Sequence, residues 1–243
     1  MSAVFSTESR FYPYGKVMPS YYDLSQLPHL SKKVCDYLLD APNPNAGYIT
    51  PDNNEYPRCR FWKYLYHDNA NPLSQSLPTI EQKMSVLFDP KSPENPPTDK
   101  GYRLIPQIFT KPAKTEAQTM VYFYIGRAFP SSDEYKVCLA VNFIIWTHYQ
   151  YEANMQSDVL SRISGIEQAL IEAFHGVNMD GIGTFFFSRS KHPDCGSEEF
   201  TDGNTTIGRR LTIALEIATT TTAVNTADSL PQYDNGLRVG FLC

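Results

Sequence analysis

The sequence predicts an α+β fold: a mostly antiparallel β-sheet packed by a long amphipathic helix, with an N-terminal helical and loop-rich extension. Three observations carry this expectation. Runs of β-branched and aromatic residues with strand-like alternation crowd the chain after residue 101. One stretch of helical period lies among them. A proline-rich seam, "DPKSPENPPTDK" from Asp89 to Lys100, separates them from a beginning of different texture.

Residues 1–100 make up the extension. In "PSYYDLSQLPHLSKKVCDYLLDAP", Leu30, Val34, Tyr37, Leu38 and Leu39 recur at the spacing of a short helix. "NPNAGYITPDNNEYPRC" is rich in Asn, Pro and Gly and reads as a loop that needs a neighbour to hold it. In "PTIEQKMSVLFDP", Thr79 is placed to cap a helix carrying Ile80, Met84 and Leu87. Residues 89–100 follow as a linker or long surface loop.

Residues 101–220 form the core domain. "GYRLIPQIFT", "TMVYFYIGRAF" and "YKVCLAVNFIIWTHY" read as three strands, expected to be antiparallel neighbours, with Pro106 marking the first as an edge or a bulged strand. In the third, Val137, Leu139, Val141, Phe143 and Ile145 share one face, and Cys138, Ala140, Asn142 and Trp146 the other, as in a central strand covered on both sides. The long helix is "SDVLSRISGIEQALIEAFHG", with Ser157 or Asp158 as cap and Gly176 as terminator. Val159, Ile163, Ile166, Leu170 and Ala173 form its stripe, widened by Leu160 and Phe174. Gly165 within it costs about 1 kcal/mol relative to Ala unless it permits close packing. Two strands follow, "GTFFFSRS" and "RRLTIALEIAT", the latter alternating Leu211, Ile213, Leu215 and Ile217 with Thr212, Ala214 and Glu216. Residues 221–243 form a polar tail with a short strand expected over 237–242.

Composition narrows the function. The chain has 243 residues, 19% charged and 13% aromatic, which excludes a disordered polyelectrolyte and points to aromatic surface used in contacts. A net charge of −5 without a dense Lys/Arg run argues against binding nucleic acid by phosphate neutralisation. No apolar run reaches the eighteen or so residues of a membrane span, and the start lacks the pattern of a signal peptide, so the expectation is a protein of the cell interior without membrane contact. Cys35, Cys59, Cys138, Cys195 and Cys243 form no CxxC pair, and their odd number fits reduced thiols better than a disulfide framework.

The stretch "GIGTFFFSRSKHPDC" brings His192, Asp194 and Cys195 within four residues. Two side chains three apart in a turn holding Pro193, with Gly196 after it, rarely keep nucleophile–base geometry, so the turn is read as structural. The acids Glu198, Glu199 and Asp202 lack the spacing of a calcium loop and are read, with "SEEFTDGNTT", as a solvated hairpin tip spanning Ser190 to Thr205. "GIG" precedes a strand instead of opening a helix, and so is no phosphate loop. His148 and His175 sit at element ends, and His29 and His67 near loops. "CRFWKYLYHD" interleaves Arg60 and Lys63 with Phe61, Trp62, Tyr64 and Tyr66; an aromatic core strand or protein contact is preferred over a nucleic-acid stacking surface. Arg209 and Arg210 are expected as a solvated or interfacial pair. No nucleophile elbow, P-loop or HExxH is present. The expectation is a protein that is not an enzyme, with no catalytic, cofactor-binding or metal residues and no cofactor.

The order of the three strands ending in "VCLAVNFIIWTHY", the helix "DVLSRISGIEQALIEAF", and the strands "GIGTFFF" and "LTIALEIAT" resembles the tail terminator and head-to-tail joining (neck) proteins of tailed bacteriophages, over roughly residues 101–220. That resemblance implies a ring-forming virion structural protein, a homo-oligomer commonly hexameric, that caps the tail tube and joins it to the neck. Its implied partners are tail tube and neck or connector proteins, with DNA passing through the ring without sequence-specific binding. Its implied place is the virion tail or neck, after assembly in the host cytoplasm. The alternatives are another neck or connector ring, or a metal-dependent nuclease or other enzyme using His192, Asp194, Glu198 and Glu199.

Overall fold

The computed structural model describes residues 27–39, 52–93, 95–106, 118–130, 136–157, 160–179, 182–202 and 205–218. The expected strand over 237–242, Asp158, Val159, Gly181 and Cys243 lie outside these residues. Before the sheet come α1 (Leu27–Leu39), α2 (Pro57–Tyr66), a 3-10 turn (Pro72–Ser74) and α3 (Ile80–Ser85). The remainder runs β1 (Leu104–Pro106), β2 (Thr119–Pro130), β3 (Lys136–His148), α4 (Tyr149–Ala153), α5 (Arg162–Phe174), β4 (Asn178–Met179), β5 (Gly183–Phe186), β6 (Gly196–Asp202) and β7 (Thr206–Ala218).

The seven strands form one mixed sheet in the order β1-β2-β3-β7-β5-β4, with β6 also on β7. β1 lies parallel to β2, which corrects the expectation that the first three runs are antiparallel neighbours; the other pairings are antiparallel. Pro106 sits at the end of β1, an edge strand, where its missing N–H breaks no ladder. β3 is central, and both of its expected faces are buried.

On one face, Val121, Phe123, Leu139, Val141, Phe143, Ile145, Leu211, Ile213 and Leu215 pack beneath α1, α2 and α5 in a single hydrophobic core. The helices before residue 100 and the strands after it therefore share that core. The proline-rich segment between them closes as a surface loop, because its flanks pair across a parallel bridge at Leu87 and Leu104 and the Tyr102 hydroxyl donates to Ser92 O at 2.6 Å. The second face carries a smaller cluster, Tyr102, Ile105, Met120, Tyr122 and Trp146, with Phe200 packed against it.

The helices are short, and the long amphipathic helix is corrected to the 13 residues of α5. It begins at Arg162 because its first amides are satisfied there: the Glu152 carboxylate accepts from Arg162 N–H at 3.1 Å and Ser161 Oγ from Ser164 N–H at 3.2 Å. Ser161 is thus the cap in place of Ser157 or Asp158, and Leu160 lies outside the stripe, half exposed. Gly176, at φ 81°, follows the end of the helix as expected. Gly165 is where α5 meets α2, since a Cβ there would fall inside contact distance of the Tyr64 ring.

Two further expectations are corrected. "CRFWKYLYHD" supplies a helix, α2, opened by Pro57 in its first turn, instead of a strand; it is wedged between α1 and α5, so its aromatics are buried on several sides and no single stripe reveals it. The solvated tip over Ser190–Thr205 holds a seven-residue strand, β6, in unbroken register with β7 from Gly196↔Thr212 to Asp202↔Thr206. Glu198 and Glu199 are stabilised as strand residues by Arg210 and Arg209 opposite. In α3, Thr79 forms the capping box with Gln82, but Ile80 and Met84 are exposed, and the buried residues at its end are Lys83 and Val86.

Candidate functional site

The chain leaves the sheet at Phe186, folds over the end of the second face, and returns at Gly196. His192 N–H donates to Ser188 O at 3.3 Å and Cys195 N–H to His192 O at 3.0 Å, which makes this excursion two consecutive turns. Lys191 Nζ reaches Glu216 on β7 at 2.8 Å and pins the excursion to the sheet.

His192 is fully buried. Its Nε2 donates to Arg127 O at 3.1 Å, and its Nδ1 accepts from Asp194 N–H at 3.1 Å. That carbonyl is available because β2 bulges there: the register with β3 shifts between Ile125 and Ala128, leaving Gly126 and Arg127 unpaired in the ladder. The ring also stands edge-on to Phe129, with centroids 5.8 Å apart. Both imidazole nitrogens are therefore spent on backbone partners. Cys195 is buried, its sulfur lies 3.8 Å from Phe186 O, and burial raises its thiol above the ordinary range. Asp194 is exposed at the turn. The three residues that stand together in sequence form a plug for the open end of the sheet, without a side-chain bond between His192 and Cys195.

The acids beyond the turn separate for a geometric reason. Successive strand residues face opposite sides, so Glu198 pairs with Arg210 on the second face while Glu199 pairs with Arg209 on the helix face. Arg209 also takes the Glu167 carboxylate of α5, which ties β7 to the helix layer. Neighbouring acids that diverge in this way do not converge on one cation. Among the described residues no group of three His, Cys, Asp or Glu side chains is placed to hold a metal ion. At the next register position, Phe200 lies over Gly208 and meets Trp146 edge-on at 4.8 Å; a Cβ on Gly208 would collide with its ring.

Among the described residues, two buried arginines gather elsewhere, at the C-terminal end of α2. Arg103 Nη1 donates to Leu65 O at 2.8 Å and Tyr66 O at 3.1 Å, and its guanidinium grips Asp68 through two bonds of 2.8 and 2.7 Å. Arg162, fully buried, donates to Tyr64 O at 2.6 Å, Asn69 O at 2.9 Å and His67 O. Lys100 Nζ adds a bond to Tyr66 O at 3.2 Å. The last carbonyls of a helix lack intrahelical donors and carry its negative end, so these cations satisfy both needs while joining α2 to β1 and α5. Burial pushes the Arg162 pKa down. Sequence reading missed this cluster. The available signal was a lone arginine inside each apolar pattern, Arg103 in "YRLIP" and Arg162 in "SRISGI".

The remaining candidates are also structural partners. His148 Nδ1 accepts from Gln150 N–H at 3.2 Å at the start of α4, and His175 Nδ1 accepts from Phe187 N–H at 3.1 Å after α5. His67 Nε2 lies 2.9 Å from Ser76 O, and burial holds its pKa below the usual value. His29 is exposed. Arg60 pairs with Glu172 and Lys63 with Asp52 at 2.6 Å, while Phe61, Trp62 and Tyr64 are in the core, so no aromatic stacking surface is presented. The hydrogen bond from Lys63 holds the Asp52 carboxyl below its ordinary range.

What the arrangement does offer is open strand edge. Among the described residues β6 has β7 as its one partner. No helix there is long and apolar enough to cross a membrane.

Searches of curated proteins and of solved structures each return no match. A scan against protein-family models matches the one described as YomW over residues 60–215, a span that takes in most of α2, the buried arginines, the plugged turn and most of the sheet. The chain belongs to the YomW family.

Proposed function

We propose that the chain is a non-enzymatic structural protein of a phage virion, and that it acts as a ring-forming tail terminator, capping the tail tube and joining it to the neck. The observation that carries this reading is the division of labour in the fold. His192, Cys195, Glu198 and Glu199 are consumed by internal contacts, while the seven-residue strand β6 has no outer partner among the described residues. The family name is of phage type, compatible with a phage protein. A rigid sheet tied to its helix layer by buried arginines suits a subunit that must hold shape within an assembly.

The terminator role has a direct test. A polymerising tube without its cap has no stop, so particles made by the parent genome lacking this gene are expected to contain tubes of unbounded length. Tubes of normal length that fail only to join heads would assign the chain to another neck ring. Normal, infectious particles would overturn the virion reading.

A further inference from the structure

We propose that the excursion between β5 and β6 is an acid-released strap: a proton on His192 Nδ1 ends its bond to the Asp194 amide, and residues 188–195 lift from the end of the sheet while the sheet itself persists. The proposal stands independently of the assembly reading.

The bonding of His192 admits one form of the ring. An amide N–H can only donate and a carbonyl can only accept, so Nδ1, 3.1 Å from Asp194 N, must be bare, and Nε2, 3.1 Å from Arg127 O, must carry the hydrogen. A second proton would set two N–H groups against each other and place a positive charge on a fully buried side chain. The charged groups on the elements packed around the ring are Arg127 on β2, Lys136 on β3, Glu216 on β7, and Arg189, Lys191 and Asp194 on the excursion. The thiols there, Cys138 and Cys195, are raised by burial and stay neutral. Of the two carboxylates, Asp194 lies at the exposed turn, and Glu216 already holds Lys191 at 2.8 Å and Lys136 at 3.6 Å. Cations therefore prevail around the ring and oppose a further positive charge. Little else holds the strap. From Ser188 to Asp194, His192 is the one buried side chain, and none of these residues belongs to a strand. Segments with so few buried contacts open at low cost. Their release leaves Arg127 O, already outside the β2–β3 ladder at the bulge, to be satisfied by water.

The test is hydrogen exchange of the full chain at pH 7.5 and pH 5, with rates corrected for the intrinsic pH dependence of amide exchange. An imidazole in water takes up its proton at about pH 6.5, so opening linked to one proton should grow about thirtyfold over that interval. Protection of the amides of 188–195 should fall by that factor in acid, while the amides of β3 keep theirs. Glu216→Gln removes the Lys191 pin and should leave the pH response in place. His192→Gln, which has no titrating group, should abolish it. A second readout needs no variant: labelling of Cys195 by a dithiodipyridine, relative to the unfolded chain at the same pH, should accelerate in acid in wild type. Equal protection of 188–195 at both pH values would overturn the proposal. So would a loss spread evenly over β3, which marks global unfolding, or a pH response that survives in His192→Gln or disappears in Glu216→Gln.

Discussion

Gly165 on α5 sets two effects of opposite sign against each other. Replacing a helical Gly by Ala stabilises the helix by about 1 kcal/mol, because the glycine loses more backbone freedom on folding. Against this, an ideal Cβ at Gly165 would fall 2.8 Å from Tyr64 Cε1 and closer still to Cζ and Cε2. The ring has little room to retreat, since Tyr64 is buried and its carbonyl is held by Arg162 at 2.6 Å. Overpacking of this kind costs about 1–3 kcal/mol, so packing should win and Gly165→Ala should destabilise by about 1 kcal/mol, lowering Tm by about 2–4 °C for a chain of this size. In a Tyr64→Leu background, where the ring is gone, the same substitution should instead stabilise. Urea unfolding of the four proteins in this cycle measures both signs. A Gly165→Ala protein more stable than wild type would refute the close approach of α2 and α5.

Other substitutions test the remaining contacts. Arg162→Met strands the carbonyls of Tyr64, His67 and Asn69, and at about 1–3 kcal/mol for each buried orphan should cost at least about 3 kcal/mol in denaturant unfolding. His192→Ala removes the partners of Arg127 O and Asp194 N–H and should destabilise by about 2 kcal/mol or more in the same assay. Stability should fall as pH drops below 6.5: the depressed pKa of His67 means that the unfolded chain takes up its proton first, and His67→Gln should flatten that slope. A further loss should begin below 3.8, where the lowered pKa of Asp52 has the same sign. Cys35, with its thiol pushed up to about 12 by burial, should resist iodoacetamide in the native protein, as should the buried Cys59, Cys138 and Cys195, and all four should label after unfolding, read by peptide mass mapping.

Elements of regular period were legible in the sequence: β3 and β7 through alternation, the body of α5 through its stripe, and α3 through the Thr79 cap. The errors have physical causes. α2 packs between two helices and the sheet, so its hydrophobicity has no strong period. β6 carries charges whose partners, Arg209 and Arg210, become neighbours only on pairing, and as isolated residues they signal a solvated loop. The parallel placement of β1 depends on the crossover path, to which local pattern is blind. The turn at His192 was legible from Pro193 and Gly196, but its role as a plug required the β2 bulge some sixty-five residues earlier. The arginines at the end of α2 were hidden because a buried cation is identified by the carbonyls around it, and these come from a segment distant in sequence.

The central claim is that this chain builds an assembly instead of performing a reaction. The solution mass across a wide concentration series, by light scattering, tests it most directly. A hexameric ring predicts about 166 kDa, six times the 27.6 kDa chain. A mass that stays at one chain throughout the series would contradict the account.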